Sequence, residues 1–205
     1  MIARSVAAAL VAIALPSAAY ADDSDGAYGR LDGDLLIAAS AGAAIALGGP
    51  ELALDVHALY LSTAGIYVRY ADSFGQDSAL FERSIATGME IRPFFLGRWA
   101  QNLAQGPARL DLFVDSFSVQ FGAAWQQAQG MAFRETPAFE IGLSIEFPLL
   151  AKASGPYLGF LTDFRLDDLA GHDERNVLEQ GTMFVFTFSW HQVAKLGLAD
   201  FNDRR

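Results

Sequence analysis

The chain has 205 residues and a mass of 22.1 kDa, with a net charge of −10 and a pI near 4.6. That length fits one domain, and the acidic balance excludes nucleic acid as a partner, because phosphate binding needs a basic surface. Cysteine is absent, which excludes disulfides and thiolate metal sites. Hydrophobic residues reach 52%, yet no run past residue 21 supplies the roughly 18 unbroken apolar residues of a spanning helix.

The first element is a leader. Met1 to Ser5 carries Arg4, Val6 to Leu15 is an apolar core, Pro16 breaks it, and Ala19-Tyr20-Ala21 supplies an A-x-A cleavage site. Residues 1–21 therefore read as a signal peptide, and 22–33 as an acidic segment at the start of the mature chain. From 34 to 191, alternating segments recur between clusters of Gly, Pro, Asp and Ser. Eight strands are predicted: Asp34 to Leu47, Glu51 to Leu61, Ile66 to Asp72, Ser84 to Leu96, Phe117 to Gln126, Ala138 to Phe147, Tyr157 to Arg165 and Thr182 to His191. Residues 192–205 form a polar tail. Between Gly106 and Phe117 the period changes: Leu110, Phe113, Val114 and Phe117 fall at i, i+3, i+4 and i+7, with Asp111 and Asp115 opposite and Pro107 suited to a first turn. This predicts one short amphipathic helix between strands four and five; the competing reading extends strand five back to Leu110.

The two faces of each predicted strand differ in kind. Phe184, Phe186, Phe188 and Trp190 oppose Met183, Thr187, Ser189 and His191, while Phe139, Ile141, Leu143 and Ile145 oppose Glu140, Gly142, Ser144 and Glu146. Two geometries produce such alternation. A soluble lipocalin-like barrel turns its bulky face inward, and an outer-membrane barrel turns it toward lipid. The polar faces are rich in Gly, Ala and Ser and nearly lack Lys, and aromatics gather near predicted strand ends (Tyr60, Tyr70, Phe94, Phe95, Trp125), where interfacial girdles sit. The bulky side chains are also too many for a small lumen. The expected fold is a closed antiparallel up-and-down transmembrane β-barrel, all-β, of about eight strands. Phe139, Ile141, Phe184, Phe186, Phe188 and Trp190 then face lipid.

With the leader, eight alternating segments and the aromatic final strand Phe188-Ser189-Trp190-His191 in hand, the chain resembles the small outer-membrane β-barrels of the OmpA/OmpX type. The resemblance is architectural and spans about Asp34 to His191. It implies export to the outer membrane, contact with outer-membrane lipid and handling by the barrel-assembly machinery. In that family the last strand usually ends the chain, whereas Gln192 to Arg205 follow here.

Three constellations are candidates for chemistry. Asp55, His57, Arg69, Glu90, Arg92, Glu140, Glu146, Asp163 and Arg165 fall on the enclosed faces. Their charges must pair there, because an isolated buried charge is costly. The carboxylates outnumber the arginines, which leaves room for a raised carboxylate pKa or a bound cation. The loop around Asp167, Asp168, Asp173 and Glu174 offers acidic oxygens to a hard cation such as calcium, without EF-hand spacing. Ser189 and His191 share one face, as a catalytic pair acting on lipid would, but no acid partner can be named. No cofactor is indicated. The leading function is a structural or surface-interaction role; a lipid-modifying enzyme, a narrow channel and a soluble periplasmic binding barrel are the alternatives.

Overall fold

The structure is a computed structural model that describes residues 27–46, 49–75, 81–166 and 182–197. Residues 1–26, which include the expected leader, lie outside the described residues. Eight strands form the wall: β1 (Leu35–Ala46), β2 (Gly49–Tyr60), β3 (Ala64–Asp72), β4 (Arg83–Ile91), β5 (Ser118–Gln127), β6 (Ala138–Pro148), β7 (Gly155–Leu166) and β8 (Thr182–Ala194). Each pairs antiparallel with its sequence neighbours, and β8 closes on β1 from Leu35↔Ala194 to Ala46↔Met183, giving a closed up-and-down barrel. Closure leaves no unpaired strand edge.

The alternation of the sequence becomes an inside and an outside. Along β8, Met183, Val185, Ser189 and His191 are buried while Phe184, Phe186, Phe188 and Trp190 are exposed. The same holds for β3, where Ile66 is 61% and Val68 48% exposed beside Tyr67 and Arg69 at 0% and 1%. Among the described strand positions that are exposed, Arg83 at the rim is the only charged residue. The wall is thus apolar outside and polar inside.

The connections after β2, β4 and β6 lie at one end of the barrel together with residues 27–33 and the end of β8. This end is capped. The β4–β5 connection holds two helices, α1 (Phe94–Ala100) and α2 (Ala108–Asp115), rather than the one expected. Strand four accordingly stops at Ile91, short of Leu96. Pro93, which lacks an N–H for the ladder, instead starts α1, so Phe94 and Phe95 belong to a helix. Phe95 is fully buried.

The face that α2 buries also departs from its sequence pattern. Asp111, Leu112 and Asp115 point inward and Leu110 is 55% exposed. The reason is the surface beneath. This helix covers the mouth of a polar lumen where Arg30 and Arg98 wait, so carboxylates and not the apolar stripe meet the protein. Among the described residues apolar packing is confined to small clusters: Tyr28, Leu112 and Ala153 under the cap, Tyr67, Ala86 and Ala124 in the wall, and Ala44, Ala53, Leu161, Met183 and Val185 toward the other end.

Candidate functional site in the lumen

The enclosed polar residues separate into two layers joined by Gln120. Farther from the cap, Arg69 Nη1 donates to Glu140 Oε1 (3.1 Å) and Asp163 Oδ2 (3.4 Å), and Arg165 Nε donates to Glu140 Oε2 (3.1 Å). The Tyr67 hydroxyl donates to Glu140 Oε1 at 2.9 Å. Its reach depends on Gly122, where a Cβ would sit 2.4 Å from the Tyr67 hydroxyl. A small residue on β5 thus makes space for a long polar side chain from β3, two strands away, a physical reason for the Gly, Ala and Ser content of the enclosed faces. Glu140 and Asp163 are fully buried and Arg69 nearly so.

Nearer the cap, His57 Nδ1 lies 2.9 Å from Glu90 Oε2. Glu90 also accepts from Arg92 Nε (2.8 Å) and Gln120 Nε2 (3.0 Å), and Arg92 Nη2 donates to Glu146 Oε2 (2.7 Å). The other oxygen of Glu146 accepts from the Ser189 hydroxyl at 3.0 Å and lies 3.0 Å from His191 Nε2. The His191 ring stacks on Tyr157 with centroids 3.9 Å apart and stands edge-on to His57 at 5.8 Å. Gln120 also accepts from Arg69 Nη2, which ties the layers together.

A cavity of about 30 Å³ lies between the layers, lined by Asp55, His57, Arg69 and Glu146 among others. That is room for roughly two waters. The Asp55 Oδ1 atom is buried there with no hydrogen-bond partner among the described residues; Arg69 Nε, Asp163 Oδ1 and Arg165 Nη2 are likewise unpartnered. Buried polar atoms left dry are costly, so ordered water or an ion belongs beside them.

The cap is a separate charge cluster. Asp115 accepts from Arg30 Nη1 and Arg98 Nη1, each at 2.6 Å, and Arg98 Nη2 donates to Asp111. The Tyr28 hydroxyl donates to Asp111 Oδ2 at 2.9 Å. Burial, reinforced by the Asp111 carboxylate, pushes the Tyr28 phenol up to about 12. Burial lowers the Arg30 guanidinium, and Asp115 partly offsets it. Burial also works against the charge of Arg98, but its bonds to Asp115 and Asp111 prevail and raise it. Arg30 lies 4.3 Å over the Phe95 ring, a cation–π contact.

The nine residues of the predicted charge network therefore line one lumen. To them the structure adds Tyr67, Gln120, Tyr157, Ser189 and His191. Gln120 alternates with Val119 and Phe121, and Tyr67 shares its face with Arg69, so both signals are present in the spacing. The cap residues carried no such signal, since Arg30 and Arg98 meet Asp111 and Asp115 only through the chain path. Asp167, Asp168, Asp173 and Glu174 lie outside the described residues. Ser189 and His191 do find an acid, Glu146, but in the wrong order for hydrolysis. In a Ser-His-acid relay the hydroxyl donates to one imidazole nitrogen and the acid holds the other. Here one Glu146 oxygen takes the hydroxyl proton and meets the same Nε2 that Ser189 approaches at 3.3 Å. Ser189 is fully buried in the lumen, on the side of the wall away from the exposed Phe188 and Trp190.

No family model matches the chain, and no curated protein matches it. Among solved structures, the chain is similar to Ail, the attachment invasion locus protein of Yersinia pestis, in complex with the heparin analogue sucrose octasulfate. The identity is 9% and the TM-score 0.31, over 77% of this chain and 96% of that one.

Proposed function

We propose that this protein is an outer-membrane β-barrel with a structural or surface-interaction role, displaying its longer connections outside the cell. One observation carries the reading: the barrel is apolar outside and charged inside. Water-soluble barrels have the opposite polarity; an apolar outer band around a polar interior is the arrangement that hydrocarbon stabilises. The strand lengths agree. They run from nine to thirteen residues, against the roughly 9–11 residues that a tilted strand needs to cross a bilayer. Outer-membrane lipid is then the permanent partner of Phe139, Phe184, Phe186, Phe188 and Trp190, and the barrel-assembly machinery its partner during biogenesis.

The filled lumen favours this role over conduction. Arg69, Glu140, Asp163 and Arg165 cross-link the interior, and the cap covers one end. Expression in a Gram-negative host tests the reading directly. The expected result is recovery in the outer-membrane fraction, with unheated protein migrating differently from heated protein on an SDS gel. Recovery as a soluble periplasmic protein overturns it. In planar bilayers the purified barrel is expected to show no stepwise conductance.

A further inference from the structure

We propose that the capped-end layer of the lumen is a binding site for one divalent transition-metal ion of the zinc class, held by His57, His191 and Glu146. One nitrogen from each imidazole and one oxygen of Glu146 lie within 4.8 Å of one another, and all three residues are buried. Metal–ligand bonds of about 2.0–2.1 Å in a tetrahedral site place ligand atoms roughly 3.3 Å apart. The His191 Nε2 to Glu146 Oε1 separation is already 3.0 Å. The His57 nitrogen, within 4.8 Å of both, closes toward that spacing to complete the set.

Each ligand is held from behind. The Nδ1 atom of His57 faces Glu90 Oε2 at 2.9 Å, and Glu90 is itself fixed by Arg92 and Gln120. A carboxylate behind a ligating imidazole is the support that sets its tautomer and orientation, and it leaves Nε2 of His57 for the ion. His191 is locked by its stack on Tyr157, whose hydroxyl lies 3.0 Å from the Lys152 carbonyl oxygen. Glu146 gives Oε2 to Arg92 and keeps Oε1 toward the histidines.

Two further observations point to a cation. The cavity touches His57 and Glu146, has room for metal-bound water, and receives the buried, unpartnered Oδ1 of Asp55. The side-chain inventory agrees: among the described residues the lumen sets five carboxylates (Asp55, Glu90, Glu140, Glu146 and Asp163) against three guanidiniums (Arg69, Arg92 and Arg165), an excess of oxygen donors over fixed cations. Two nitrogens and one oxygen select zinc, cobalt or nickel over calcium and magnesium, which take oxygen ligands.

The test uses full mature protein, stripped with chelator, refolded in detergent and titrated with Co²⁺ alone. The expected result is one equivalent bound, a visible ligand-field spectrum, and displacement by Zn²⁺ but not by Ca²⁺. The double variant His57→Gln/His191→Gln is expected to lose the complex while keeping the folded gel mobility. Glu90→Gln should weaken binding about 10–100-fold by removing the support behind His57. A folded wild type that binds no Co²⁺, or undiminished binding by the double variant, overturns the site. Should the double variant fail to fold, proton NMR of the Co²⁺ wild type decides: shifted exchangeable resonances from two imidazoles support the proposal, and their absence overturns it. Outer-membrane localisation is read separately, by fractionation.

Discussion

The lumen and the cap are both buried charge clusters, yet they are built on different terms. In the cap, Arg30 and Arg98 meet Asp111 and Asp115, and the charges cancel within the cluster. In the lumen, five carboxylates meet three guanidiniums and two histidines; buried polar atoms stay unpartnered in both clusters, Arg30 Nη2 in the cap and several in the lumen. A salt-bridge cluster that only has to seal a mouth needs no more than matched charges. One that retains an excess of acceptors, two oriented imidazoles and a small cavity has room for something more. The difference separates a structural plug from a candidate site.

That contrast can be broken or sharpened experimentally. The largest effect is expected for Arg69→Met, which leaves Glu140 and Asp163 to share Arg165 alone. Breaking a buried pair typically costs about 3–5 kcal/mol, read as a lower urea midpoint for loss of the folded gel mobility. Next comes Phe186→Lys. If the outer face meets hydrocarbon it costs about 2–4 kcal/mol, while Tyr60→Lys at the capped rim costs only about 0–1 kcal/mol. Equal small effects would mean that water, not lipid, surrounds the wall. In the cap, Asp115→Asn removes the charge shared by Arg30 and Arg98. The expected loss is about 1.5–3 kcal/mol, the usual worth of hydrogen bonds to charged groups. If that loss matches the Arg69 variant, cap and lumen are not distinct in kind.

The smallest effect is a titration. The Tyr28 phenol is raised from 10 to about 12 in the folded protein, so its neutral form is the one that folding favours. Its contribution is complete below pH 10 and fades as pH rises toward 12. A pH titration of tyrosine absorbance should lose one tyrosine's amplitude near 12 in Tyr28→Phe. If the two curves coincide, Tyr28 is not sealed against Asp111.

Much of the wall was legible because a strand has a period of two. Once Glu140 and Glu146 share a face with Ser144, and Phe139 and Phe147 oppose them, a single choice of which face is enclosed assigns every strand. The helices were harder. The i, i+3, i+4 pattern of Leu110, Phe113 and Val114 located α2 but pointed it the wrong way, because amphipathicity tells which residues share a side and not what lies beneath. The first helix was hidden by Phe94-Phe95-Leu96, which prolong an apolar run; Pro93 was the available stop signal. The acid beside Ser189 and His191 was named as an interior residue but not as their neighbour, since Glu146 is 43 positions from Ser189.

By itself the sequence determined the eight alternating segments, the separation of apolar from charged faces, and the identity of the enclosed charges. These are local consequences of backbone geometry and side-chain polarity. Only the tertiary structure decided which charges meet, that α2 presents its carboxylates to Arg30 and Arg98, and that His57, Glu146 and His191 converge from three strands. Contacts across a closed barrel depend on register and on the curvature that brings distant strands face to face, and neither is encoded in any one segment.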